Sequence, residues 1–108
     1  MARRAALWLP GLMLAAAAQA VPPPDPERLE NLLQQDCGSC HGLTLRGGLG
    51  PALTPEALAG RPRQVLARTI LDGRPGTPMP PWRGLLTEAE ADWLAGRLLE
   101  GEGAREDR

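Results

Sequence analysis

Two cysteines and the only histidine of the chain stand together in the segment CGSCH, as Cys37, Cys40 and His41. Residues of these types at this spacing can form a disulfide, bind a metal, shuttle electrons as a dithiol or anchor a cofactor. A structural zinc site needs four such ligands, and the chain has three. A dithiol site of the thioredoxin kind stands beside a strand, and no run of Val and Ile marks one here. A disulfide across so short a loop adds little stability, and none of these uses explains the histidine.

The pattern C-x-x-C-H is typical of covalent haem attachment, which uses all three residues. Cys37 and Cys40 would each form a thioether with a haem vinyl group, and His41 would present an imidazole nitrogen to the iron. One haem c is therefore the expected cofactor. It would also supply apolar volume to a chain that has three Trp and no Phe or Tyr.

Met79 is the candidate for the second axial ligand. Met1 and Met13 precede the expected mature domain, so Met79 is the one methionine that this domain keeps. A thioether is a soft ligand that suits ferrous iron and raises the reduction potential. The alternative is a core methionine that fills a gap, but the loop around Met79 is rich in proline and glycine, which favours a stiff, non-helical segment. We therefore predict axial coordination by His41 and Met79.

The first twenty residues have the three parts of a secretory signal peptide. The start MARR is positive, an uncharged apolar run extends from Ala5 to Ala18, and an A-x-A cleavage signal ends at Ala20. We expect cleavage after Ala20, export to the periplasm, and one mature domain of residues 21–108. A retained anchor is the less favoured alternative, because the apolar run is shorter than the ~20 residues of a membrane span and contains a Pro-Gly pair. No membrane span is expected after cleavage.

Three segments have the apolar spacing of helices, which predicts an all-α domain. The first has Asp25 as a candidate N-cap and Pro26 at the first helical position, and it leads to the CGSCH segment on a compact turn. The second should end at Gly73, and the third should begin with a capping box at Thr87. A short helical turn, capped by Thr54, could precede the second helix. The side chains expected on one face of the second helix are Val65, Leu66, Thr69 and Ile70.

Two further residues are candidates for contacts at the haem. A haem-ligating imidazole usually donates its second N–H to a carbonyl, which fixes the ring. The backbone carbonyl of Pro51, in the glycine-rich loop after the motif, is our candidate acceptor for His41; the alternative is that Pro51 only shapes the turn. Trp82 is expected to pack against the haem edge or to anchor the last helix, rather than to carry electrons directly.

The chain resembles a class I cytochrome c over essentially its whole mature length. The residues that carry the resemblance are the CGSCH segment, the sequence Gly50-Pro51-x-Leu53, and the sequence MPPW from Met79 to Trp82 ahead of a capped C-terminal helix. The resemblance implies a small fold of three to four helices and long loops around one covalent haem c. The chain departs from the class because it lacks the aromatic pair between the first and last helices.

Residues 37–63 and 69–101 are also similar to the cytochromes c-55X, small periplasmic cytochromes associated with nitrite reductase gene clusters in denitrifying bacteria. This resemblance implies one-electron delivery to the haem-c/haem-d nitrite reductase, or a redox or binding role in the assembly of haem d. A general donor to another periplasmic or terminal reductase is a further alternative. Since protein side chains would fill both axial positions, we expect an electron carrier and not an enzyme.

All twelve basic residues are arginines, and residues 21–108 hold ten of them against thirteen acidic residues, which disfavours nucleic-acid binding. Six arginines and two acidic residues lie within residues 42–87, whereas both flanking segments are acidic. We expect Arg46, Arg74 and Arg83 to form a docking rim beside the haem edge for an acidic redox partner, because such charge mainly speeds encounter. Solvated surface arginines, or a pair with a haem propionate, are the alternatives.

Overall fold

The computed structural model describes residues 3–8, 10–11 and 21–101, and within them the regular structure is helical, without strands. The elements in chain order are α1 (Pro26–Leu32), a π-helical segment (Leu33–Cys37), α2 (Gly38–His41), α3 (Arg63–Asp72) and α4 (Glu88–Glu100). The predicted all-α class is confirmed. The expected cleavage site at Ala20 and the polar tail after Gly101 lie outside the described residues.

Helix α1 begins as its sequence predicts. Asp25 is the N-cap, and its Oδ1 accepts hydrogen bonds from the backbone N–H of Glu27 at 3.1 Å and of Arg28 at 3.4 Å. Pro26 is the first helical residue, where its missing N–H has no intrahelical partner to lose. These bonds satisfy the free N–H groups at the helix start and fix the direction in which the chain leads to the CGSCH segment.

The cysteine motif lies within a continuing helix, whereas the sequence predicted a compact turn after α1. In the π-helical segment the backbone N–H of Gly38 donates to the carbonyl of Leu33, five residues earlier. A π turn holds more residues than an α turn, and so it rotates everything that follows around the helix axis. Past this point Cys37 is half-buried against the core and Cys40 is exposed.

Helices α3 and α4 have the predicted ends. Gly73 ends α3 with φ 68°, and its N–H donates to the carbonyl of Thr69. At the start of α4, the N–H of Glu90 donates to Thr87 Oγ1 at 3.1 Å, and Glu90 Oε1 accepts from the N–H of Thr87 at 2.9 Å. This reciprocal pair is the predicted capping box.

Of two finer details of the helix prediction, one was confirmed and one was wrong. Thr54 caps a short turn, as predicted: its Oγ1 accepts from the N–H of Ala57 at 3.2 Å, and its carbonyl accepts from the N–H of Leu58 at 3.0 Å. Val65 is 54% exposed, because the face of α3 that packs on α4 is rotated away from it. The buried residues of α3 are Leu66, Ala67, Ile70 and Leu71.

The core is built from leucine and alanine. Leu29, Leu33 and Leu94 are its largest fully buried side chains, and they come from the first and last helical segments. Trp82 and Trp93 pack against this core while half-buried themselves. The other members of the core are Leu58, Leu66, Ala67, Ile70, Leu71, Leu86, Ala91, Ala95 and Leu98.

Ion pairs link α1 and α4, between which the sequence offered no aromatic pair. Arg28 pairs with Glu90, the residue that also closes the capping box of α4. In a second pair, Glu30 of α1 binds Arg97 of α4 through the guanidinium nitrogens Nε and Nη2. Arg97 is only 4% exposed, so this second pair is part of the helix interface itself. Charged groups thus occupy part of the contact where the wider class uses aromatic rings.

Candidate haem centre

The two thiols of the motif differ in their surroundings, and neither forms a disulfide. Burial raises the pKa of the Cys37 thiol to about 11, and the negative charge of Asp36 acts in the same direction. Cys37 is therefore a neutral thiol at physiological pH. Cys40 is exposed on the following turn of helix. Both sulfurs lie within four residues of His41 on one continuous helical stretch, as C-x-x-C-H attachment requires.

The His41 ring is fixed by the loop that follows it. Its Nδ1 lies 2.7 Å from the carbonyl oxygen of Pro51. A carbonyl can only accept, so Nδ1 carries the proton and Nε2 presents its lone pair. This is the tautomer that an iron ligand needs, with the second nitrogen held by a backbone acceptor. The structure thus brings together His41 and Pro51; the role of the pair at an iron atom stays a prediction.

Gly50 is a site residue that sequence reasoning missed. A Cβ at this position would stand 2.8 Å from Cε1 and Nδ1 of His41, closer than carbon atoms pack. The flat imidazole therefore rests against bare backbone. The only signal in the sequence was the position of this glycine directly before the proline that accepts from the ring.

Backbone hydrogen bonds hold the loop of residues 42–53 on the end of α2. The carbonyl of His41 accepts from the N–H of Gly47 at 2.9 Å, and the carbonyl of Cys40 accepts from the N–H of Gly50 at 2.8 Å. The last carbonyls of a helix have no partner within the helix, so these bonds satisfy them. Gly42 leaves the helix with φ 92°, which starts the reversal. The hydrogen bonds that place Pro51 are therefore short-range ones, between the loop and the end of α2.

Met79 is half-buried in a loop on the end of α3. Its carbonyl accepts from the N–H of Arg74 at 3.3 Å, and its own N–H donates to Thr77 Oγ1 at 3.4 Å. The Thr77 hydroxyl in turn donates to the carbonyl of Arg74 at 2.6 Å, which closes the loop on itself. Trp82 follows, half-buried, with its backbone N–H 3.2 Å from the carbonyl of Ile70.

The residues present fit a haem group. The donor set comprises an imidazole held at Nδ1 by Pro51, a thioether and two free thiols, which match two vinyl additions and two axial positions. Large apolar side chains are exposed on the segments beside the two ligands: Leu43 is 82% exposed, Leu49 is 95% exposed and Leu85 is 72% exposed. Such side chains suit an apolar group that would cover them. Among the described residues, no three His, Cys, Asp or Glu side chains are grouped to hold a metal without a porphyrin.

The three arginines expected to form a docking rim are not equivalent. Arg83 binds Asp72, with Nη2 to Oδ1 at 2.6 Å, and its Nη1 lies 3.6 Å from Glu88 Oε1. The hydrogen bond and the charge of Asp72 raise the pKa of Arg83. Arg46 and Arg74 are exposed and form no ion pair within the part of the chain that the structure describes. Positive charge is thus available on two of the three.

Residues 24–96 match the family described as "Cytochrome C oxidase, cbb3-type, subunit III". The chain is 67% identical over 82 residues to "Cytochrome c55X" of Pseudomonas aeruginosa, covering 73% of this chain and 69% of that protein. A solved structure, "c-type cytochrome NirC", superimposes with a TM-score of 0.70 at 66% identity, over 73% of this chain and 96% of that one. "Dihydro-heme d1 dehydrogenase" of Pseudomonas aeruginosa is 41% identical over 90 residues, which are 83% of this chain but 17% of that protein.

The helical fold and these matches define a c-type cytochrome. Among the described residues no helix has the length and apolar character to cross a bilayer. Within the class, the chain belongs to the cytochrome c55X family.

Proposed function

We propose that the protein is a one-electron carrier with one haem c, attached at Cys37 and Cys40 and ligated by His41 and Met79. The observation that supports this most directly is the 2.7 Å contact between His41 Nδ1 and Pro51 O, because it leaves Nε2 free to bind iron. The haem supplies the ferric/ferrous couple when it is bound. His41 is held in orientation by Pro51, and the Met79 thioether favours the ferrous state.

In this proposal the iron is closed to substrates. Two protein side chains occupy both axial positions, so an external ligand has to displace one of them. Reduced protein should therefore bind carbon monoxide weakly and slowly. Rapid, tight binding would contradict the carrier function and indicate an enzyme with an open iron site.

We propose the haem-c/haem-d nitrite reductase as the electron acceptor, as the resemblance to the cytochromes c-55X implies. Arg46 and Arg74 would meet an acidic surface beside the acceptor's haem, since they are exposed and unpaired within the described residues. Charges of this kind raise the association rate and leave the complex short-lived, which suits a carrier.

The test is stopped-flow mixing of the reduced holoprotein with that nitrite reductase over a range of salt concentrations. Reoxidation should be fast and should slow with added salt, because screening shortens the reach of the arginine charges. Arg46→Glu and Arg74→Glu should lower the rate and flatten its salt dependence. Arg68→Glu is the matched control, since Arg68 lies on α3, is also exposed and also forms no ion pair within the described residues. An equal effect of all three variants would refute a localised rim.

A second candidate function is a redox role in haem d assembly. It is favoured by one observation: the protein named "Dihydro-heme d1 dehydrogenase" contains a stretch 41% identical to nearly the whole of this chain. A dehydrogenation releases two electrons and two protons, and a carrier with one haem accepts one electron, so two oxidised molecules would be reduced per turnover. Reduction of the oxidised protein by that enzyme and its substrate, without reoxidation by nitrite reductase, would favour this function over the first.

Export belongs to the proposal, with the signal peptide removed after Ala20. The holoprotein recovered from the periplasm should begin at Val21 and carry the mass of one haem. A mass that includes residues 1–20 would show a retained anchor.

A further inference from the structure

The chain after Met79 returns to the end of α3 and donates hydrogen bonds to carbonyl groups of its last turn. The N–H of Trp82 donates to the carbonyl of Ile70 at 3.2 Å, and the N–H of Arg83 donates to the carbonyl of Leu71 at 3.0 Å. These carbonyls belong to the last turn of α3 and have no partner within the helix. Residues 74–81 are therefore a closed loop, and both of its ends rest on the same turn of helix.

The loop of residues 74–81 packs against Gly73. It is buried, with φ 68° and ψ −169°, a combination that is essentially restricted to glycine. A Cβ here would stand 2.7 Å from the carbonyl oxygen of Met79, and 2.8 Å from Pro80 C and from Pro81 N. The Met79 carbonyl and the backbone that follows it thus pack directly on the glycine. Any larger residue at position 73 has to push them away.

An exposed ion pair, Asp72–Arg83, links the residues that flank the loop. Asp72 Oδ1 accepts from Arg83 Nε at 2.9 Å and from Nη2 at 2.6 Å. Arg83 also lies 3.6 Å from Glu88, in the first turn of α4. One guanidinium group therefore connects the end of α3, the end of the loop and the start of α4. Its charge is matched by two carboxylates, unlike that of Arg74 in the same loop.

We infer that Gly73 and the Asp72–Arg83 pair form a latch that holds Met79 in position as the iron ligand. Gly73, Asp72 and Arg83 are positioning residues in this inference, which rests on the proposed His41/Met79 coordination. Arg83 acts through the backbone of the loop and not as a contact for a redox partner. The latch sets how often Met79 leaves the iron, and so it adjusts the stability of the sixth ligand without touching the haem.

The test measures how readily added imidazole replaces Met79 in the oxidised holoprotein, followed by loss of the charge-transfer band of Met-ligated ferric haem. The apparent affinity for imidazole rises in proportion to the fraction of molecules whose loop is open. Arg83→Gln and Asp72→Asn should each increase it by about two- to fivefold, the range for an exposed ion pair. The double variant should exceed Arg83→Gln by little, because Arg83→Gln alone already removes the pair with Asp72. Gly73→Ala should increase it by at least about tenfold, given its backbone conformation.

Arg74→Gln is the matched control: it removes an exposed arginine of the same loop that has no ion pair within the described residues. Its imidazole affinity should equal that of the unmodified protein. An unchanged affinity in Arg83→Gln and Asp72→Asn would overturn the latch, as would an equal increase in Arg74→Gln. These surface variants keep the test decisive if Gly73→Ala fails to fold. Absence of the Met–iron band in the unmodified protein would instead refute the proposed coordination, and with it the basis of the latch.

Discussion

Replacing Arg97 by methionine should destabilise the protein far more than its single formal charge suggests. Arg97 is 4% exposed and binds Glu30, whose side chain is 13% exposed, so both partners have given up most of their water. Removing one member of a buried pair costs about 3–5 kcal/mol, mainly because the desolvation of the remaining charge is no longer offset by the attraction of that member. Since Glu30 keeps some exposure, we expect the lower end of that range, about 3 kcal/mol.

This loss is large for a small domain. About 1 kcal/mol lowers the unfolding midpoint of a 60–100-residue domain by about 4–8 °C, so Arg97→Met should lower it by more than about 12 °C. The assay is thermal unfolding of the holoprotein, followed by far-UV circular dichroism. Glu30→Met/Arg97→Met should recover most of the loss, because a buried ion pair replaced by apolar side chains of similar size is close to neutral.

Arg28→Met is the matched control at the same helix interface. The Arg28 side chain is 49% exposed in its pair with Glu90, so its removal should cost no more than about 1 kcal/mol. Two results would refute the reasoning. One is a destabilisation by Arg97→Met as small as that of Arg28→Met. The other is a double variant as unstable as Arg97→Met, which would mean that lost packing, and not the loss of the Arg97 charge beside the buried Glu30 carboxylate, dominates.

Three further predictions concern the haem motif. Gly50→Ala should displace the His41 ring from Pro51, and the lost hydrogen bond of about 1 kcal/mol would weaken the imidazole as a donor to ferric iron. The midpoint potential should therefore rise by about 40 mV, which spectroelectrochemistry measures. An unchanged potential would contradict the role of Pro51. In the chain before haem attachment, iodoacetamide should modify exposed Cys40 well before Cys37, whose pKa is raised to about 11. The thiolate fraction of Cys37 increases as the pH approaches that value, so the difference between the two modification rates should narrow. The rates are followed by mass spectrometry. Equal rates for Cys37 and Cys40 at neutral pH would show that the Cys37 thiol is not buried before haem attachment. In the unfolded chain the Cys37 thiol has its ordinary pKa of 9.0, so it ionises at lower pH than in the folded chain, where the pKa is about 11. The free energy of unfolding of this chain should therefore fall as the pH rises from about 9 to about 11.

The features that could be predicted from the sequence depend on residues close together in the chain. The Asp25 cap, the Gly73 stop and the capping box at Thr87 each involve partners within four positions. The attachment motif is equally local. Propensity and capping rules describe such short-range hydrogen bonds directly, and so these boundaries were correct.

The features that could not be predicted depend on how distant segments meet. Glu30 and Arg97 are 67 residues apart, and nothing in either local sequence marks them as partners. The exposure of Val65 is decided by the rotation of α3 against α4, which the helical spacing alone leaves open. Arg83 looked like a free surface charge because its partners, Asp72 and Glu88, come together only when the loop closes.

The two expected iron ligands are consequently held in different ways. His41 is followed at once by the loop that fixes it, and its contact with Pro51 spans ten residues. The position of Met79 depends instead on the end of α3 and on a charged pair that reaches α4. An opening of α3 would release Met79 and leave His41 in place, since the hydrogen bonds of residues 42–53 do not involve α3. In the proposed coordination, the motif would therefore provide haem attachment and one ligand, whereas the tertiary fold would determine how firmly Met79, and with it the reduction potential, is maintained.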